Sequence, residues 1–224
     1  MTNKVKLLEA LTFARDLLTK GWTQGTLARD ADGVKTDHQG EDVACFCAMG
    51  ACCRARDEFE VSGSELMRRV DEQSHDVNIV AFNDIEGRTQ AEVVEVFDKA
   101  IAKLKAEIIV DNLIAAKALL EVPGAWTTGW FFKDYEGQHA SQKTATCFCA
   151  MGAVGKVKEE VYHGNDIMST PEVRLLTQCI PDYAANKLRQ EGQSVGVANF
   201  NDEEGRTLPE ILALFDAAIA LAKK

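Results

Sequence analysis

Leu7, Leu8, Leu11, Ala14, Leu17 and Leu18 recur at three- and four-residue spacing among charged positions, which predicts an amphipathic opening helix over about Lys4 to Thr19. Gly21 ends it. The following stretch, TLARDADGVKT, sets Asp32-Gly33 between short extended runs and predicts a small two-stranded ribbon closed by a tight turn. Next comes VACFCAMGACCRARDEF. The run from about Asp42 to Glu58 reads as a helix whose Ala44, Ala48, Gly50 and Ala51 would let another backbone approach closely. Ser62 and Glu65 have capping-box spacing ahead of LMRRV and predict a short helix. The clearest local signal is Thr89-x-x-Glu92, a second capping box, with Val93, Val96, Phe97, Ala100 and Ile101 following at helical spacing.

The same order of elements then occurs again. CFCAMGA stands at Cys45 to Ala51 and at Cys147 to Ala153, and F-N-D-x-E-G-R-T at Phe82 to Thr89 and Phe200 to Thr207. Trp22 matches Trp126, Gly25 matches Gly129, Asp30 matches Asp134 and Gly33 matches Gly137. The offset is 102 residues at the cysteines and 118 at the phenylalanines, so the second copy holds 16 extra residues, within about 164–195. There Thr170-Pro171-Glu172 opens a helix, and Pro181 breaks it ahead of an extra helix around Asp182 to Arg189. Thr207-x-x-Glu210 repeats the last capping box, and Ile211, Leu214, Phe215, Ala218 and Ile219 repeat its apolar face. A repeat of this length suits two self-sufficient cores rather than a solenoid.

These patterns predict an α+β, mainly helical protein. Two tandem homologous domains, residues 1–106 and 107–224, each hold about four helices and a short β-hairpin, in a pseudo-twofold relation. No Gly or Pro lies between Arg88 and Val122, so one helix is expected to run across the boundary. A break at the β-branched Ile108, Ile109 and Val110, with Asp111 as a new N-cap, is the competing reading.

Composition changes this picture little. Hydrophobic residues make up 46% of the chain, and no stretch approaches the roughly 18 apolar residues of a membrane span. The opening residues lack the apolar run of a signal peptide, so a cytoplasmic setting, bacterial or host-cell, without membrane association is expected. The net charge of -10 is shared: residues 1–106 carry 14 basic and 19 acidic side chains, and 107–224 carry 11 and 16. Phosphate backbones are held by clustered Lys and Arg, so nucleic acid is not expected as a partner. Arg54, Arg56, Arg68 and Arg69 read as a solvated helix face.

Candidate chemistry lies at the shared positions. Trp22, Asp30, Asn83, Asp84 and Arg88, with Trp126, Asp134, Asn201, Asp202 and Arg206, combine carboxylate, amide, guanidinium and aromatic groups beside a capped helix. Such a group suits a small polar or anionic ligand, or a protein partner. The competing reading makes the same residues a loop brace: Asn and Asp build turns, Gly87 and Gly205 permit positive φ, and Asp pairs with Arg. The shared cysteines Cys45, Cys47, Cys147 and Cys149 read first as packing. Four thiolates around zinc is a second reading, against which the C-x-C spacing counts. A third makes Cys47 or Cys149 a helix-start nucleophile served by His38 or His139, although those histidines slip by one position between copies. His75 and His163 have no counterparts. The pattern calls for no metal and no cofactor.

The order W-x-x-G, hairpin, C-A-x-G-A, F-N-D-x-x-G-R-T and F-D-x-A-I resembles a small uncharacterised domain family met in bacterial and bacteriophage proteins, once per copy. That resemblance implies a bacterial or phage setting and supplies no catalytic residue. The expected function is a non-enzymatic binding or interaction protein, such as a phage accessory factor, with its surface at the hairpin and F-N-D-x-E-G-R-T segment of each copy. The alternative is a small hydrolase or transferase using a helix-start cysteine or the loop carboxylates Asp84 and Asp202.

Overall fold

The opening stripe forms α1 (Asn3–Lys20), which buries Leu7, Ala10, Leu11, Ala14 and Leu18. The computed structural model describes residues 3–74, 77–158 and 164–224. The chain divides into two compact units, Met1–Lys105 and Ala106–Lys224.

In the first unit the chain leaves α1 at Gly21, runs through Trp22 and forms β1 (Ala28–Asp30), β2 (Lys35–Thr36) and β3 (Val43–Phe46). These make an antiparallel sheet of order β2-β1-β3, with Ala28 opposite Thr36 on one side and Phe46 on the other. The helix expected from Asp42 is therefore wrong in its first third, and the ribbon has a third strand. Val43 to Phe46 are extended because their backbones pair with β1, while Phe46 also bonds Gly21 and Thr23. Tertiary pairing here overrides what the small residues suggested.

The helix proper, α2 (Ala48–Phe59), begins after Cys47, whose extended backbone (φ -79, ψ 169) makes it the N-cap. Gly50 is required at that start. A Cβ on it would lie 2.0 Å from the Leu27 carbonyl oxygen, and one on Gly152 would lie 1.8 Å from that of Phe131. The close approach read from the CFCAMGA segment is thus made at its glycine. α3 (Gly63–Asp71) is capped by Ser62, whose hydroxyl accepts from the Glu65 amide. A short α4 (Ile79–Asn83) follows. α5 (Gln90–Glu121) then runs 32 residues without interruption, so the break at Asp111 does not occur. Three β-branched residues lower helix propensity by only tenths of a kcal/mol each, about what Leu and Ala neighbours restore. Within the first unit α1 packs against α2 and α3, and Leu66, Val70, Ile79, Val93, Val96, Phe97 and Leu104 complete the core.

The second unit repeats this plan around its own core. Leu113, Ala116 and Leu120 of α5 meet Phe148, Met151, Val154, Leu176, Phe200, Ile211 and Phe215. β4 (Phe132–Lys133) pairs with β5 (Cys147–Phe148), and α6 (Ala150–Lys158) starts after Cys149. After a 3-10 turn (Gly164–Ser169), Thr170 caps α7 (Pro171–Gln178) with its hydroxyl on the Val173 amide. Pro181 precedes the extra α8 (Asp182–Gln190), and α9 (Val197–Asp202) and α10 (Leu208–Ala222) close the unit. Among the described residues no helix is long and apolar enough to cross a membrane.

Candidate functional site

Asn83 sits at the end of α4 and is 1% exposed, and Asn201 in α9 is fully buried. The shared F-N-D segment is thus the last turn of a short helix rather than an open loop. All four hydrogen-bonding positions of the Asn83 amide are used. Its Oδ1 accepts from Trp22 Nε1 at 2.8 Å and from the Ala48 backbone N–H at 3.0 Å. Its Nδ2 donates to the Thr23 carbonyl at 3.2 Å and to Asp84 Oδ1 at 2.7 Å. The second copy reproduces this set: Asn201 takes Trp126 Nε1 at 3.0 Å and the Ala150 N–H at 3.1 Å, and gives to Thr127 at 3.1 Å and Asp202 at 2.7 Å. The aspartates extend the brace, Asp84 Oδ1 accepting from Gly25 N–H at 3.1 Å and Asp202 Oδ1 from Gly129 N–H at 2.8 Å.

One amide in each copy therefore ties together the tryptophan segment, the start of the CFCAMGA helix and the short helix. Ala48 and Ala150 are first-turn residues whose N–H groups lack an intrahelical partner, and asparagine supplies it. Gln24 adds a bridge that the sequence reading missed, donating to the carbonyls of Asn83 at 2.7 Å and Ile85 at 3.0 Å. Thr128 stands at its place in the second copy, so the duplication left no signal there.

The arginines turn inward. Arg88 lies 3.8 Å over the Phe82 ring, donates from Nε to the Phe82 carbonyl at 3.1 Å and pairs with Glu92 at 2.8 Å. Arg206 stacks at 3.8 Å on Phe200, bonds its carbonyl at 2.9 Å and pairs with Glu203 and Glu210, leaving its side chain 4% exposed. The same glutamates close both capping boxes, Glu92 accepting from Thr89 N–H and Glu210 from Thr207 N–H at 2.9 Å. Hydrogen bonds from Thr89 lower the Glu92 pKa, and those from Thr207 lower that of Glu210. Asp30 and Asp134 stand apart from this group and fold the hairpin turns, each Oδ1 accepting two backbone N–H groups, from Asp32 and Val34 and from Glu136 and Gln138.

The two helix-start thiols are buried rather than presented. Cys47 and Cys149 cap their helices, each Sγ accepting from a glycine amide at 3.3 Å. Burial raises the Cys47 pKa against the pull of the Gly50 and Met49 amides, and raises that of Cys149 to about 11. Desolvation outweighs the helix start. His38 faces Asp37 and Asp57, and His139 packs edge-on against Trp130 at 5.1 Å. Neither histidine is among the described hydrogen-bond partners of the two cysteines; His75 and His163 lie outside the described residues. Among the described residues no three His, Cys, Asp or Glu side chains group as metal ligands. Of the arginines first read as a helix face, three are neutralised locally, Arg56 by Asp57, Arg68 by Glu65 and Glu72, and Arg69 by Glu65, while Arg54 donates to the Gln39 carbonyl.

Two hollows border the shared segment. A groove of about 250 Å³ in the first unit is lined by Phe82, Arg88, Glu92, Glu95, Val96 and Lys99. In the second unit Asp202, Glu203 and Glu204 face Lys187, Glu191 and Gln193 of the insertion across an open polar groove of about 450 Å³, with Asn199. Lys187 is paired with Glu203, which raises its pKa. No pattern announces this groove, because which polar side chains of residues 187–204 share a hollow depends on how α8 packs on α9.

No curated protein and no solved structure matches the chain. A family model described as a family of unknown function, DUF6197, matches residues 2–103 and again residues 106–221. With nearly the whole length covered by two successive matches, the chain belongs to the DUF6197 family and carries its domain in tandem.

Proposed function

We propose that this is a non-catalytic binding protein whose working surface is the polar groove where the insertion of the second unit faces the F-N-D-x-E-G-R-T segment. The observation that carries the reading is the groove itself: about 450 Å³, open, and lined almost wholly by polar and charged side chains. Its charges, Lys187 against Glu191, Asp202, Glu203 and Glu204, leave an acidic surplus, so a polar or cationic ligand or a basic partner segment suits it better than an anion. The arginines that would have held an anion are already stacked and ion-paired. Burial of Cys47 and Cys149, with pKa values raised, favours binding over nucleophilic catalysis. A phage accessory role in bacterial cytoplasm belongs to the same proposal and rests on the sequence resemblance.

The test is native mass spectrometry of the chain purified from its natural host, beside an E191K/E204K variant. Both glutamates are exposed, so the reversal leaves the core untouched. A bound species retained by the parent and lost from the variant supports the reading. Equal retention by both overturns the placement, and release of a chemically altered product overturns the non-catalytic assignment.

A further inference from the structure

A different part of the molecule, α2 and α3 of the first unit, collects sulfur. Met49, Cys52, Cys53 and Arg56 follow one another on α2 at helical spacing, and Met67 of α3 joins them around an open groove of about 390 Å³. Gly63 and Ser64 complete the lining, which contains no carboxylate and no imidazole. We propose that this groove binds a soft monovalent metal ion of the Cu(I) type through the two thiols and the two thioethers.

Thiolate and thioether donors are soft and select Cu(I), whereas magnesium and calcium require oxygen ligands that the groove lacks. Buried cysteine and methionine ordinarily fill a core. Here three of them border open space, Met49 being 38% exposed and Cys53 and Met67 partly exposed, while Cys52, 2% exposed, forms the groove's floor. Binding by two thiols releases two protons and leaves a complex with one negative charge. The Arg56 side chain crosses Gly63, where an added Cβ would meet Cδ at 3.0 Å, and its guanidinium is held by Asp57 beside the groove.

The duplication supplies an internal control. At the 102-residue offset the second copy carries Met151, Val154, Gly155 and Lys158, keeping one thioether and the cation but neither thiol. One ion per chain is therefore expected, in the first unit alone. The private cysteines Cys52 and Cys53 gain a role that the shared ones, committed to strand and N-cap positions, do not have.

The reduced full-length chain is titrated anaerobically with Cu(I) in competition with a chromophoric Cu(I) chelator. One Cu(I) per chain with thiolate-to-copper ultraviolet absorption is expected. The C52A/C53A double variant loses it, and M67L, a volume-conserving change in the groove, weakens it at least about tenfold. Circular dichroism reports folding; if the double variant is unfolded, Cys53→Ser and M67L decide. A parent chain that cannot hold Cu(I) against the chelator, or variants that hold it unchanged, overturn the proposal. This outcome is independent of the polar groove, which uses none of these residues.

Discussion

Replacing Asn83 by alanine removes an amide that makes four hydrogen bonds in a site 1% exposed. Three partners are stranded. The Ala48 N–H is buried at the helix start, the Thr23 carbonyl belongs to a buried residue, and Trp22 Nε1 is half-buried and regains some water. Asp84 keeps the Gly25 N–H. An unsatisfied buried group costs about 1–3 kcal/mol, so the loss is about 3–6 kcal/mol, a large part of the roughly 5–15 kcal/mol that holds a typical domain folded. For a unit of this size each kcal/mol moves the midpoint by about 4–8 °C, and a fall of about 15 °C or more is expected. Trp22 is the one tryptophan before residue 126, so urea unfolding followed by tryptophan fluorescence reads the first unit against a background from Trp126 and Trp130. Trp22→Phe, followed by circular dichroism because it removes that probe, deletes a single bond and should cost about 1 kcal/mol, within the range of one hydrogen bond. A loss below about 1 kcal/mol for Asn83→Ala would refute the brace and return these residues to ligand binding.

Two further outcomes follow from the same geometry. With its pKa raised to about 11, Cys149 should alkylate slowly with iodoacetamide near pH 8 and accelerate as pH rises toward that value; mass-mapped labelling checks it, and Cys149 reacting as fast as Cys147, which is partly exposed, would contradict the burial argument. Glu92 and Glu210 have folded pKa values below their ordinary 4.5, so they stabilise the fold above that pH, and the contribution disappears as pH falls through the lowered values. Thermal melts of the E92Q/E210Q variant should therefore lie below the parent at pH 7 and converge with it near the acid end; a constant gap at all pH values would assign the effect to packing.

Much of the architecture was readable because it rests on local chemistry. Ser62, Thr89, Thr170 and Thr207 mark helix starts through bonds to residues three positions on, and the α1 and α10 stripes follow the 3.6-residue period. The Asp30 and Asp134 turns are equally local. The Asp42 to Cys47 stretch reads as helix by its side chains, but Val43 to Phe46 are extended because they pair with Asp30, Arg29 and Ala28, 13 to 18 residues earlier. Side chains alone gave no warning.

The candidate site divides in the same way. Duplication identified the Trp, Asn, Asp and Arg positions, but both a ligand surface and a brace need those groups, and similarity between copies does not distinguish them. What favours the brace is partners far along the chain: Asn83 meets Trp22 across 61 residues and Ala48 across 35. Thus the amino-acid order by itself determined the duplication, the helix starts and the core faces, because each is written in spacings of a few residues. Only the tertiary structure decided that the paired asparagines are saturated within the protein, and that a polar groove and a sulfur-lined one lie open, because burial and hydrogen-bond completion depend on segments that meet only after folding.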